Sequence, residues 1–178
     1  MTRPGGSYIW ALGIGSMIDV GEGVFLLAPA ATLDYFDQQS VLLSRPVTPL
    51  EAWNIIMAHP QPVLRAAFRI RDFVSSKFGV KRLGGFSGAR AETVQLGDRL
   101  DFFLVEKITD TSLVLTERDR HLDVMTCVTA TGPRLSITSS VITHNTFGKA
   151  YMLPVGPAHK LIVHTMFRRL QRAVKVAG

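Results

Sequence analysis

The sequence predicts an α+β fold: a curved antiparallel sheet wrapped around a long C-terminal helix, with two short helices after the first strand. Three observations predict it. Residues 87–144 read as consecutive strands divided by turn residues. Residues 157–174 carry an apolar stripe at helical spacing. The remaining helix signals are confined to 48–79, so helices and strands are segregated along the chain. Such a sheet must bury one face, and the striped helix is its cover. A sheet curved around one helix leaves a cavity, and apolar clefts are the usual small-molecule sites.

The N-terminal 30 residues differ from the rest. Gly5, Gly6, Gly13, Gly15, Gly21 and Gly23 fall here, and no period of 2 or 3.6 persists. Residues 1–30 therefore read as a flexible Gly-rich leader outside the core, and 31–178 as a single domain. Gly13-Ile14-Gly15 is not a dinucleotide fingerprint, because Ile18 stands where the third glycine belongs. Arg3 and Ala28-Pro29-Ala30 mimic parts of a signal peptide, but Asp19 and Glu22 break its apolar stretch.

A strand is expected from Leu33 to Leu43, ended by Arg45-Pro46. Thr48 then stands as an N-cap, Pro49 suits the first turn, and Glu51 completes a T-x-x-E capping box. This helix runs to about Ala58 before Pro60. Pro62 opens a second helix with the stripe Val63, Leu64, Ala67, Phe68, Val74 and Phe78, closed by Gly79. Gly84-Gly85-Phe86-Ser87-Gly88 lacks the G-K-[ST] ending of a phosphate-binding loop.

Strands are expected near 87–95, 98–108, 112–118, 121–130 and 134–144. The last two alternate. Leu122, Val124, Thr126 and Val128 share one face, and His121, Asp123, Met125 and Cys127 the other. Leu135, Ile137, Ser139 and Val141 likewise oppose Ser136, Thr138, Ser140, Ile142 and His144. Pro154 and Pro157 delay the final helix, expected to begin near Pro157 or Ala158, with the stripe Ile162, Val163, Met166, Phe167, Leu170, Ala173 and Val174.

Composition narrows the class. Hydrophobic residues at 47% suffice for a core, and charged residues at 19% argue against disorder. The single Cys127 excludes an internal disulfide and suits a reducing cytoplasm, the expected location. No apolar run reaches the roughly 18 residues of a membrane span.

Two stretches resemble a known bacterial family. One is Thr116-Glu117-Arg118-Asp119-Arg120-His121-Leu122-Asp123. The other runs from Val141-Ile142-Thr143-His144-Asn145 through Gly148-Lys149-Ala150-Tyr151 to Pro157-Ala158-His159-Lys160-Leu161-Ile162-Val163. Asp34-Tyr35 fits as well. The family is catalogued as domain of unknown function 2867, and the resemblance covers about 34–172. The element order is similar to the helix-grip fold of the START-like superfamily (SRPBCC), which includes plant pollen allergens and aromatic polyketide cyclases. The resemblance implies that fold and an internal ligand cavity, and it leaves the activity open.

The candidate chemistry lies in those motifs. Asp119, His121 and Asp123 alternate, so a strand can bring them to one face as a proton relay or, less readily, a metal site. The bland alternative is a solvated hairpin tip with a hydrogen-bonded rim histidine. His144 and Asn145 end the last strand, either facing a cavity mouth or capping the next turn. Tyr151 can offer a hydroxyl or anchor the helix entry. Trp53, Phe68, Phe102, Phe103, Met125, Ile142, Met166 and Phe167 are candidate cavity-lining residues, with ordinary core packing as the alternative. Cys127 reads as a buried, inert thiol. No metal or cofactor is expected: no H-x-x-x-H or Cys/His pairing is present, and His159 and His164 are five apart, on different helix faces.

The net charge of +6 comes wholly from residues 147–178, which hold Lys149, Lys160, Arg168, Arg169, Arg172 and Lys175 and no acid. The rest of the chain holds 14 basic and 14 acidic side chains. Arg168, Arg172 and Lys175 share a face. Solvated helix surface is the plain reading; an acidic protein or membrane surface is the functional one, and nucleic acid is the weakest because interleaved aromatics are missing. The expected function is a small-molecule-binding protein for a lipid-like or aromatic ligand, with His121, Asp123, His144, Asn145 and Tyr151 as polar readers. The alternatives are a cyclase- or hydrolase-like enzyme using His121 with Asp119 or Asp123, and an accessory protein docking through its basic helix.

Overall fold

The computed structural model describes residues 17–58 and 87–176. It is α+β, with six antiparallel strands in one sheet and a long C-terminal helix. In chain order the elements are β1 (Ile18–Gly21), β2 (Val24–Leu26), β3 (Tyr35–Leu42), α1 (Pro49–Met57), β4 (Arg99–Leu100), β5 (Phe103–Ile108), β6 (Ser112–Arg118), β7 (Leu122–Thr131), β8 (Arg134–Thr143) and α2 (Thr146–Val176). A short 3-10 turn at Ala30–Thr32 precedes β3. The main sheet runs β3-β8-β7-β6-β5-β4. The expected helix over 62–78, with Phe68, lies outside the described residues.

Half of the expected capping box at the start of α1 forms, because Glu51 Oε1 accepts from Arg45 Nη2 at 2.7 Å rather than from the Thr48 N–H. The Thr48 hydroxyl accepts from the Glu51 backbone N–H at 3.1 Å. Ala52, Trp53, Ile56 and Met57 are the buried stripe. They join Leu113, Leu115, Leu135, Ile137, Val163, Phe167 and Leu170 in the main core, on the sheet face that α1 and α2 cover.

The alternation in β7 and β8 holds, and its other face is also covered. Residues 18–26, expected as part of a flexible leader, instead form a hairpin on the outer face of the sheet. Phe25 and Leu27 pack there on Val114, Met125 and Cys127. Burying two such side chains contributes about 1.5–3 kcal/mol each. Gly21 and Gly23 serve this hairpin rather than flexibility. Glu22 and Gly23, with φ of 54° and 75°, make its two-residue turn. A Cβ on Gly23 would meet the Ser112 hydroxyl at 2.4 Å. That hydroxyl donates to the Gly23 carbonyl, which closes the tip onto β6.

Three other expectations change. Residues 87–95 are not a strand. Their backbone groups bond to side chains instead: Ala91 N–H to Asn54 Oδ1, Asn54 Nδ2 to the Ala91 carbonyl, and Ser87 N–H to Asp101 Oδ1. The 98–108 strand is broken at Asp101-Phe102, a two-residue turn with Asp101 at φ 57°, into β4 and β5. The last helix begins at Thr146, some eleven residues before Pro157. Its prolines are tolerated because the carbonyls they leave without a helical donor, on Ala150 and Leu153, sit on the exposed side.

Candidate functional site

A cleft of about 160 Å³ lies between the inner face of the sheet and the first half of α2. Phe102, Phe103, Val124, Val141, Met152 and Val155 form its walls. The early start of α2 creates it: had the helix begun at Pro157, Phe147, Tyr151, Met152 and Val155 would not face the sheet.

The start of α2 is fixed by the His144-Asn145-Thr146-Phe147-Gly148 segment. Asn145 Oδ1 accepts from the Gly148 N–H at 3.0 Å, an N-cap. Its Nδ2 donates to the Arg120 carbonyl at 3.0 Å. Gly148 packs directly on the β6–β7 turn, where a Cβ would lie 2.3 Å from the His121 carbonyl oxygen. This segment is therefore a docking device that brings the helix onto the turn.

His121 lines the cleft, but both ring nitrogens are engaged. Nε2 accepts from Arg120 Nε at 3.0 Å, so Nδ1 carries the hydrogen and donates to Asn145 Oδ1 at 3.1 Å. The ring also lies 4.6 Å from that of Phe147. Asp119 lines the rim, and its carboxylate accepts the backbone N–H groups of His121 and Leu122 at 2.7 and 3.0 Å. It does not reach the imidazole.

Asp123 and His144 are not in the cleft. Asp123 projects to the outer face, where Oδ1 lies 3.0 Å from His144 Nε2 and Oδ2 lies 3.6 Å from Arg118 Nε. The relay of Asp119, His121 and Asp123 on one strand face is thus not assembled, because β7 begins only at Leu122 and the first two residues belong to the turn. Met125 and Ile142 also face outward, under the β1–β2 hairpin. Trp53, Met166 and Phe167 belong to the main core and do not line the cleft. Phe102 and Tyr151 do line it, and Tyr151 stacks on Phe147 at 6.5 Å.

Besides Glu117, Asp119 and His121, the cleft has a second polar cluster that the sequence patterns did not single out as readers: Tyr35 on β3, Ser139 on β8 and His159 on α2. The Tyr35 hydroxyl donates to the Gly156 carbonyl at 3.1 Å and lies 3.4 Å from His159 Nδ1. His159 Nε2 lies 3.3 Å from the Ser139 hydroxyl. With Tyr35 already donating, Nδ1–H donates to its oxygen and Nε2 accepts from Ser139. Gly156 permits this approach, since a Cβ there would sit 3.0 Å from the Tyr35 ring.

Electrostatics keeps this cluster uncharged. Burial lowers the His159 pKa below its ordinary value, against a smaller upward pull from Asp37, whose Oδ2 is 4.0 Å from Nδ1. Burial, with Asp37 adding to it, pushes the Tyr35 phenol up to about 12. Asp37 is itself engaged by Gln39 Nε2 at 2.8 Å and by Lys160 Nζ at 3.9 Å. A neutral imidazole, a phenol and a serine hydroxyl can recognise an uncharged donor–acceptor group or pass a proton. A signal existed for two of them: Asp34-Tyr35 and Pro157-Ala158-His159 are parts of the family-like stretches.

Among the described residues, no group of three His, Cys, Asp or Glu side chains is placed to hold a metal. No curated protein and no solved structure matches the chain. A family model described as "Protein of unknown function (DUF2867)" matches residues 29–166. That match spans most of the chain, which therefore belongs to the DUF2867 family.

Proposed function

We propose that this protein is a small-molecule-binding module of helix-grip, START-like architecture, working in the bacterial cytoplasm. Its ligand is a compact aromatic or short lipid-like molecule with one uncharged hydrogen-bonding group. The observation that carries this reading is the apolar cleft ending in Tyr35, Ser139 and His159. A cavity of ~150 Å³ holds about one benzene ring, so the cleft suits a ligand of that order. The polar readers shift from His121, Asp123, His144 and Asn145 to the Tyr35–His159 pair and Ser139.

Native mass spectrometry of the purified protein, followed by calorimetry with the identified compound, tests this. Val124→Trp fills the cleft and is expected to abolish binding while the fold persists. Ser139→Ala is expected to weaken binding about tenfold, the value of one hydrogen bond of roughly 1.4 kcal/mol. Unchanged affinity in folded Val124→Trp protein would overturn the reading. An enzymatic version rests on the same geometry, with His159 in place of His121 as the acid–base group. It requires a substrate whose turnover falls in His159→Gln while its binding persists.

A further inference from the structure

We infer that the solvent face of α2 is a peripheral docking surface for an anionic lipid bilayer. The inference stands on that face alone and does not depend on what the cleft binds.

Ala150, Leu153, Pro154, Pro157, Leu161, His164, Arg168, Arg172 and Lys175 fall on one stripe of the helix by i, i+3 and i+4 spacing. Every one of them is exposed. The first five are apolar, and Leu153 and Leu161 keep 77% and 57% of their surface in water. The last three are cationic. A helix presenting leucines to water, with no covering element among the described residues, leaves apolar surface that a partner can bury.

The charge identifies the chemistry of that partner. Residues 147–178 contain no acid, so the occupant must be anionic. Lys160 is not part of the attraction, because it faces Asp37. Arg168, Arg172 and Lys175 follow the apolar stretch along the axis rather than flanking it. The two halves each extend about 17 Å, at 1.5 Å per residue. A bilayer interface offers that sequence of environments to a tilted helix: acyl boundary for Leu153 and Leu161, headgroup phosphate for the arginines. The surface is the solvent face of a helix, and its apolar part lacks the tryptophan and tyrosine anchors of protein hot spots.

The prolines set a limit on depth. They leave the Ala150 and Leu153 carbonyls without helical donors on this same side. Those oxygens need water, so the ridge rests in the hydrated interface and does not enter the hydrocarbon. No helix among the described residues is long and apolar enough to cross a membrane, in keeping with a peripheral contact.

Co-sedimentation of the full chain with vesicles tests the inference. Vesicles of 70% phosphatidylcholine and 30% phosphatidylglycerol are compared with pure phosphatidylcholine, at low and high salt. Binding is expected only to the anionic vesicles and to weaken with salt. Arg168→Gln with Arg172→Gln is expected to reduce it about 25-fold, at roughly fivefold per cation. Leu153→Ser with Leu161→Ser is expected to reduce it at least tenfold with an unchanged circular dichroism spectrum. Three outcomes overturn the inference: no sedimentation, equal binding to both vesicle types, or full binding by the leucine variant, which would reduce the contact to charge adsorption. Capture by immobilised polyglutamate without vesicle binding would point to an acidic protein and overturn it too.

Discussion

The His159 imidazole stands edge-on to the Tyr35 ring, with centroids 5.8 Å apart and planes at 81°. The contact ties α2 to the edge strand β3 across 124 residues of chain. It also puts a titratable ring in a setting that disfavours its charged form. The two side chains therefore connect packing, stability and the chemistry of the cleft.

The first prediction concerns pH. Because His159 has a lowered pKa in the fold, the unfolded chain binds more protons in the window between the folded value and the ordinary one. The stabilising contribution is complete above the ordinary histidine pKa, near pH 6.5, and is lost as pH falls through the folded value. Thermal melts from pH 7.5 to 5.0 are expected to show a steeper fall for the wild type than for His159→Gln. Parallel curves would mean that His159 is not held neutral.

The second prediction concerns the turn that receives α2. Gly148→Ala sets a methyl group 2.3 Å from a backbone oxygen, where no flexible side chain can yield. A cost of about 1–3 kcal/mol is expected from such overpacking. Asn145→Ala removes the cap and the bond to Arg120, at about 1–2 kcal/mol. Urea unfolding measures both. Because the two act on one junction, the double variant is expected to cost less than their sum. Strict additivity would contradict a single docking unit.

This junction also shows what could be read from sequence. Thr48, Pro49 and Glu51 announced α1 because a cap is local chemistry. The inward and outward parity of β7 and β8 was legible because strand periodicity is local too. The assignment of Met125 and Ile142 to the cavity failed for another reason: both faces of this sheet are buried, so an apolar residue does not reveal which side holds the ligand. The start of α2 was hidden by Pro154 and Pro157, whose local penalty is offset by their outward placement. Tyr35, Ser139 and His159 come from three elements far apart in the chain, and only the register of β3 on β8 and the packing of α2 bring them together.

The third prediction concerns the outer face. The Glu106 side chain is 0% exposed, bonded to the Thr116 hydroxyl at 2.9 Å and paired with Arg118. Its Oε2 and Arg118 Nη2 have no hydrogen-bond partner, so the pair is only half satisfied. Arg118→Met leaves a buried carboxylate behind and is expected to cost about 3 kcal/mol. Adding Glu106→Leu to that variant is expected to restore most of the loss, since the buried charge goes with its partner. Chemical denaturation of the two single variants and the double measures the coupling. A double variant as weak as Arg118→Met alone would show that the pair contributes more than the removal of a mutual penalty.

The last prediction concerns the hairpin that covers this face. Cys127 lies beneath it, with Sγ 3.6 Å from the Gly23 carbonyl, and burial pushes its thiol up to about 11. Two barriers then oppose alkylation at pH 8: little thiolate and no access. Iodoacetamide is expected to label the native protein orders of magnitude more slowly than the unfolded chain. The hairpin is held by Phe25, whose ring also carries Lys107 Nζ at 4.3 Å. Phe25→Ala removes about 3 kcal/mol of packing, so the opened population and the labelling rate are expected to rise roughly a hundredfold. A wild-type rate already equal to that of the unfolded chain would mean that β1 and β2 do not cover the sheet in solution. A Phe25→Ala rate equal to wild type would mean that labelling proceeds by a route other than lifting the hairpin.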